Sequence, residues 1–292
     1  MNDRIVRGLS TAGGIRVLTC SAAVLAREIC NLQQTSPTAG IALGRGLAGG
    51  ALMGALLKPG QRVGLKFEGN GPVGKLIIEA DSDGAIRGCA GNPAANVAPL
   101  NGTWNIPGLL GRAGFLTVTK DLGLGGEPYR GMVQLRSSEI GDDLAYYLTD
   151  SEQVPSAVGL GAALDTNGRV SVCGGFLVQA LPGADDTEIE TVMRHIESLP
   201  PLSELMREGG PEELMARLFG TVAHTLLETH AIFFRCGCSR EKVEAALLSL
   251  GRNELDDIRH KKEGAEVKCE FCRQAYSLDA AEIEQLIMKV EV

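Results

Sequence analysis

Residues 62–80 read Arg62-Val63-Gly64-Leu65-Lys66-Phe67-Glu68-Gly69-Asn70-Gly71-Pro72-Val73-Gly74-Lys75-Leu76-Ile77-Ile78-Glu79-Ala80. Two strand-like runs, 62–69 and 73–80, flank Gly69-Asn70-Gly71-Pro72, whose residues favour a tight reversal, so the stretch predicts a β-hairpin. It also contains most of a phosphate-binding loop, Gly69 to Gly74-Lys75. Leu76 stands where Mg²⁺ binding requires Ser or Thr, and Pro72 removes one backbone N–H from the would-be cradle. Residues 76–80 are strand-like rather than helical, so the hairpin reading prevails.

Outward from this hairpin the pattern repeats. Asp81-Ser82-Asp83-Gly84 turns into a third candidate strand at 85–89. Runs at 115–120 and 129–135 bracket the Gly-rich segment 121–128. Runs at 157–164 and 169–180 flank Asp165-Thr166-Asn167-Gly168, again hairpin chemistry. Residues 140–148 predict a short helix with Asp142 and Asp143 in its first turn. Strands joined by hairpins pair antiparallel, and helices outside that run imply α+β. Residues 39–57 carry one charge, Arg45, and six glycines. That composition suits a buried helix with close backbone neighbours better than a membrane span. Gly44-Arg45-Gly46-Leu47-Ala48-Gly49 fits a dinucleotide fingerprint but follows no clear strand, so helix packing is preferred.

From Pro182 the texture changes. Ile189, Val192, Met193, Ile196 and Leu199 recur at helical spacing, as do Leu214, Leu218, Val222 and Leu226. Pro200-Pro201 and Gly209-Gly210-Pro211 break the region into short pieces. Between Ala184 and Glu213 nine acidic residues face two basic ones. Such helices are marginally stable alone: the region reads as a solvated helical linker or as a conditionally folded segment docked by its apolar stripe, with the N-terminal sheet as the expected dock. The expected organisation is an N-terminal antiparallel-sheet domain at 1–180, a metastable helical linker at 181–230 and a small C-terminal α+β module at 231–292.

That last module carries Cys236-Gly237-Cys238 and Cys269-Glu270-Phe271-Cys272, thirty residues apart. Two close thiol pairs suit one tetrahedral Zn²⁺ at about 2.3 Å from each sulfur. Four unrelated buried cysteines or two permanent disulfides are the alternatives. Thiolates one residue apart can also be oxidised to each other, which would discharge the metal. Arg235, Arg240, Lys268 and Arg273 flank the four cysteines and are expected to offset thiolate charge. Ser239 predicts the cap of a helix with Val243, Leu247 and Leu250 on one face, ended by Gly251. Asp279-x-x-Glu282 is a capping box, with Leu278 and Ile283 as its staple. Cys20, Cys30, Cys89 and Cys173 sit among apolar neighbours and predict small core residues. No local His supports Cys173 as a nucleophile, and His195, His224, His230 and His260 form no ligand pair.

A net charge of −8 and 4% aromatic residues argue against nucleic-acid binding. The segment Met1-Asn2-Asp3-Arg4-Ile5-Val6-Arg7-Gly8 lacks an apolar signal-peptide core, so a cytoplasmic protein is expected, its cysteines mostly reduced.

With these motifs in hand, the chain resembles the redox-regulated heat-shock protein 33 family of zinc-binding holdase chaperones. Beyond the C-x-C and C-x-x-C pairs, the resemblance rests on Lys120-Asp121-Leu122-Gly123-Leu124, Pro128-Tyr129-Arg130-Gly131 and the run from Tyr147 to Ser156. Gly71-Pro72-Val73-Gly74 and Ile86-Arg87-Gly88 add to it. Cys89 departs from it, standing where an aromatic is more usual. The resemblance implies a non-enzymatic chaperone whose reduced form holds one Zn²⁺ through Cys236, Cys238, Cys269 and Cys272 and is inactive. It further implies that oxidation forms Cys236–Cys238 and Cys269–Cys272 disulfides, releases the metal and unfolds the module and linker. Apolar surface then holds unfolding client proteins, and the active form is a homodimer. No membrane partner is expected. Two rivals remain open: a constitutive zinc-ribbon protein-binding module, and a thiol enzyme using Cys89 or Cys173.

Overall fold

The hairpin at 62–80 is present and sits at the centre of a sheet. The structure, a computed structural model, describes residues 2–260 and 264–290. Met1, 261–263 and 291–292 lie outside them, and with them the outer ends of the first and last expected domains. The chain divides into two compact units, Met1–Arg235 and Cys236–Val292.

The first unit opens with a hairpin that the sequence reading missed, β1 (Arg4–Ser10) and β2 (Ile15–Ser21), followed by α1 (Ala23–Gln33) and α2 (Pro37–Gly54). Next come β3 (Arg62–Gly69), β4 (Lys75–Asp81), β5 (Ala85–Ala90), α3 (Ile106–Leu110), β6 (Gly114–Asp121), β7 (Tyr129–Gln134) and α4 (Ile140–Asp150). The unit ends with β8 (Ser156–Leu164), β9 (Val170–Ala180), α5 (Asp186–Glu197), α6 (Leu202–Glu208), α7 (Pro211–Phe219), β10 (His224–Ala231) and the two-residue β11 (Phe233–Phe234). Five strands form one sheet in the order β10-β1-β2-β9-β8, and six form another in the order β11-β5-β4-β3-β6-β7. All pairings are antiparallel except β11 with β5. The predicted turns hold: Gly69 N–H donates to Gly74 O, and Asp165 N–H donates to Arg169 O. Because β4 follows the Gly-rich turn as a strand, that turn has no helix N-terminus to offer a phosphate.

Helix α2 is buried along almost its whole length and packs between β8 and β9 on one side and β3, β4 and β5 on the other. Glycine allows this approach. A Cβ at Gly46 would lie 2.8 Å from Ile78 Cδ1, and one at Gly50 2.5 Å from Ile78 Cγ2. Among the described residues, no helix is long and apolar enough to cross a membrane. Lys120 of β6 pairs with Glu152 just beyond α4, and Tyr147 of α4 is wholly buried, so these signature residues tie α4 to the sheet.

The acidic helices lie on the outer face of the five-stranded sheet. Val192, Leu205, Leu214, Met215, Leu218 and Phe219 are buried there against Val6, Ile15, Val17, Phe176 and Val178. The expected stripe of α5 is only partly engaged: Val192 is buried, Ile189, Ile196 and Leu199 are half-buried, and Met193 is 41% exposed. The firmer anchor is α7. Gly8 leaves space for Met215 and Phe219, Thr19 Oγ1 donates to Pro211 O at 2.8 Å, and Arg4 forks onto Glu212 at 2.8 and 2.7 Å. The helical spacing read through Val222 and Leu226 stops at Phe219. Residues 224–231 are instead strand β10, paired with β1, because ladder partners offered by β1 override a four-position periodicity.

The second unit contains α8 (Arg240–Leu248), α9 (Arg252–His260), β12 (Ala265–Lys268), β13 (Ala275–Leu278) and α10 (Ala280–Val290). Ser239 caps α8 as expected, accepting from Lys242 N–H. The capping box also forms, with Asp279 N–H donating to Glu282 Oε2 and Glu282 N–H to Asp279 Oδ1, both at 2.9 Å. Leu250 was expected on the buried face of α8 but lies beyond its end, 49% exposed, and Gly251 at φ +88° turns the chain into α9. The core comprises Val243, Leu247, Leu255, Leu278, Ile283, Leu286 and Ile287.

Candidate metal centre

Cys236 and Cys238 lie in the segment entering α8, and Cys269 and Cys272 on the turn between β12 and β13. Four ladder pairs, from Ala265 with Leu278 to Lys268 with Ala275, hold that hairpin in register. Cys269 N–H donates to Gln274 O and Arg273 N–H to Cys269 O, both at 2.9 Å, with Arg273 in the left-handed region at φ 62°. The tight turn aims both sulfurs to one side. Sγ of Cys236 lies 3.6 Å from that of Cys269, Sγ of Cys238 lies 3.4 Å from that of Cys272, and all four fall within 4.8 Å of one another. A regular tetrahedron of sulfurs about 2.3 Å from a metal has edges of about 3.8 Å, so the cluster fits such an ion with small adjustments. Four soft donors favour Zn²⁺ over the oxygen-seeking Mg²⁺ or Ca²⁺. The four cysteines are the one such group among the described residues, and no histidine belongs to it.

Burial, reinforced by the other three sulfurs, pushes the Cys272 thiol up to about 12, while the backbone N–H of Gln274 opposes that rise. A bound cation inverts this logic, because coordination deprotonates a thiol outright. Tyr276, on β13 opposite Val267, donates its hydroxyl to Cys238 Sγ at 3.1 Å. That bond to Cys238 raises the phenol itself to about 12.

The flanking cations are not all disposed as the sequence suggested. Arg235 pairs with Asp81 and Asp83, Arg240 with Glu244 and Glu282, and Lys268 with Glu266. Each of these three has at least one carboxylate partner. Lys242, not singled out by the sequence, places its ammonium on Gly237 O between two of the ligands. Tyr276 was missed as well. Its only signal was an aromatic on the strand after the C-x-x-C turn, and the register that brings it to Cys238 is not written locally.

The other four cysteines are buried in the first unit. Burial pushes the Cys30 thiol up to about 11, Cys20 to about 12 and Cys173 well above its usual value. That is the reverse of an activated nucleophile. Cys89 lies on β5, paired in register with Ile77.

A sequence model of the Hsp33 protein family matches residues 3–279. The chain is 66% identical over 286 residues to the 33 kDa chaperonin of Pelobacter propionicus, spanning 98% of this chain and 94% of that one. It is 48% identical to the 33 kDa chaperonin of a Geobacter species (strain M21), covering 99% and 98%. The crystal structure of the 33 kDa chaperonin (heat shock protein 33 homolog) from Thermotoga maritima superposes with a TM-score of 0.92 at 35% identity, covering both chains entirely. With the family pattern spanning nearly the whole sequence and the same fold in a solved relative, the chain belongs to the Hsp33 family.

Proposed function

We propose that the protein is a cytoplasmic, ATP-independent holdase chaperone gated by the redox state of Cys236, Cys238, Cys269 and Cys272. The observation that carries the reading is the convergence of four sulfurs within 4.8 Å in a module whose core has seven buried apolar residues among the described ones. Domains of this size rarely draw more than about 3–5 kcal/mol from their core alone. When bound, Zn²⁺ supplies a cross-link worth about 10–16 kcal/mol of apparent folding energy in small modules. The relatives' name, chaperonin, supports a role in holding other proteins.

In the reduced state the four thiolates hold the module folded and the chaperone idle. A peroxide then oxidises them in pairs, Cys236 with Cys238 and Cys269 with Cys272. Each disulfide takes two thiolates, one peroxide and two protons and yields two waters. The sulfurs so joined are lost as ligands, and the module's small core cannot hold it folded. Helices α5–α7 follow, and the apolar face of the five-stranded sheet, with Val6, Val17, Phe176 and Val178, becomes available to unfolding clients. Their acidic surface keeps the opened protein soluble. The active form dimerises, as the resemblance implies.

Light scattering of a heat-unfolding client tests this. Peroxide-treated protein is expected to suppress aggregation and reduced protein to do little. Suppression by the reduced form that vanishes on oxidation overturns the reading in favour of a constitutive zinc-dependent binding module.

A further inference from the structure

The geometry points to Tyr276 as a positioning residue that restrains the Cys238 thiolate and so sets how readily the metal centre is oxidised. This inference rests on the redox reading above and deepens it. Tyr276 and Leu278 share one face of β13, and Leu278 is buried in the module core, so the phenol ring packs against that core. Its hydroxyl donates to Cys238 Sγ at 3.1 Å. A metal-bound thiolate carries no proton and can only accept, so the phenol must be the donor. Hydrogen bonds to charged groups are the stronger kind, and outer partners of this sort tune a metal's ligands.

The consequence follows from how a thiolate reacts with a hydroperoxide. Sulfur attacks one peroxide oxygen with its lone pair, an S–O bond forms and the O–O bond breaks. Hydroxide leaves and is protonated to water. A second thiolate then attacks the sulfenic sulfur, the S–S bond forms, the S–O bond breaks, and the oxygen leaves as water after protonation. The first step draws on the electron density of the sulfur, and the Tyr276 hydroxyl withdraws some of that density at Cys238. Withdrawing the donor leaves that sulfur more electron-rich and more open to attack on peroxide.

The test compares full-length wild type with Tyr276→Phe, which keeps the ring and deletes the hydroxyl. Both are reduced and loaded with zinc, then mixed with excess hydrogen peroxide and a chromophoric zinc chelator. The variant is expected to release zinc roughly three- to tenfold faster, since one charge-assisted hydrogen bond is lost. Loaded with Co²⁺ instead, it is expected to show its sulfur-to-cobalt charge-transfer band at lower energy. Ring packing alone would move neither reading. Unchanged release and an unchanged band overturn the inference while leaving the proposed function standing. Failure of the variant to take up either metal, with the wild type loading normally, overturns the inference, because a more electron-rich sulfur must still load and the residue's role is then structural. A wild type that binds no metal removes the thiolate acceptor and overturns the redox reading together with the inference.

Discussion

Cys30, Cys173 and Cys20 each turn their thiol onto helix α2, donating to Gly40 O at 3.7 Å, Gly44 O at 3.2 Å and Ala48 O at 3.8 Å. The three carbonyls are four residues apart and so share one face of that helix. Cys236, Cys238, Cys269 and Cys272 turn theirs toward one another instead, in a module whose core has seven buried apolar side chains among the described residues. The same side chain is thus a weak donor filling space in one region and one of a converging group of sulfurs in the other. Surroundings decide which. A large core excludes water and holds thiols neutral, so oxidants find few thiolates there. A small core leaves its four thiols grouped near the surface, where a cation could bridge them.

Removing the metal should break the comparison most severely. A chelator added to the reduced protein is expected to unfold 236–292, given about 10–16 kcal/mol of apparent stabilisation. Hydrogen exchange should then show protection lost at Ile283 and Leu286 but kept at Leu18 and Leu47. Retained protection at Ile283 without metal would mean that the seven-residue core suffices alone.

The helices α5–α7 test where the stable region ends. Phe219→Ala should cost about 3–5 kcal/mol, the usual price of a large aromatic truncation in a core. Because that loss falls on the packing of α7, reduced zinc-loaded variant is expected to hold clients without an oxidant. A variant that loses protection in α7, keeps its zinc and still fails in light scattering would assign inhibition to the module rather than to these helices.

Within the large core the effects should be smaller. Cys173→Ala removes one buried atom and a weak donor to Gly44 O, and is expected to cost about 1 kcal/mol in denaturant unfolding, like the loss of one buried methyl. Its peroxide response should match the wild type. A variant that has lost that response would make Cys173 part of the switch.

The smallest effect concerns pH. The Arg4 guanidinium holds the Glu212 carboxyl below its usual value. A carboxyl depressed in the folded state adds stability above its unfolded pKa of about 4.3, and that stability is lost as pH falls through the lower folded value. Both side chains are partly exposed, so Glu212→Gln should cost no more than about 1 kcal/mol near neutrality and less at pH 3, as the carboxyl begins to protonate. Hydrogen exchange of α7 amides at the two pH values checks it. A cost that persists unchanged at pH 3 would assign the effect to packing rather than charge.

Much of this molecule was legible locally. Gly69-Asn70-Gly71-Pro72 and Asp165-Thr166-Asn167-Gly168 announce reversals because their backbone preferences act within a few residues. Asp279 and Glu282 announce a helix start for the same reason, and the buried glycines of α2 announce close packing. The β1–β2 hairpin was not legible, because Thr11-Ala12-Gly13-Gly14 joins runs whose alternation is interrupted by Arg4, Arg7 and Arg16. Nor was β10 legible, since Val222 and Leu226 fit a helix as well as a strand until β1 offers hydrogen-bond partners.

For the candidate site the division is similar. The sequence by itself picked out the four cysteines that the fold brings together, because C-x-C and C-x-x-C each bring two sulfurs close within a turn, whatever the rest of the chain does. It could not determine that Tyr276 reaches Cys238, that Lys242 rather than Lys268 sits on the ligand loop, or that α7 anchors the acidic helices more firmly than α5. Those outcomes depend on strand register and on which surfaces meet. Both are fixed by contacts between residues tens to hundreds of positions apart, such as Arg4 with Glu212, and only the folded chain brings those residues together.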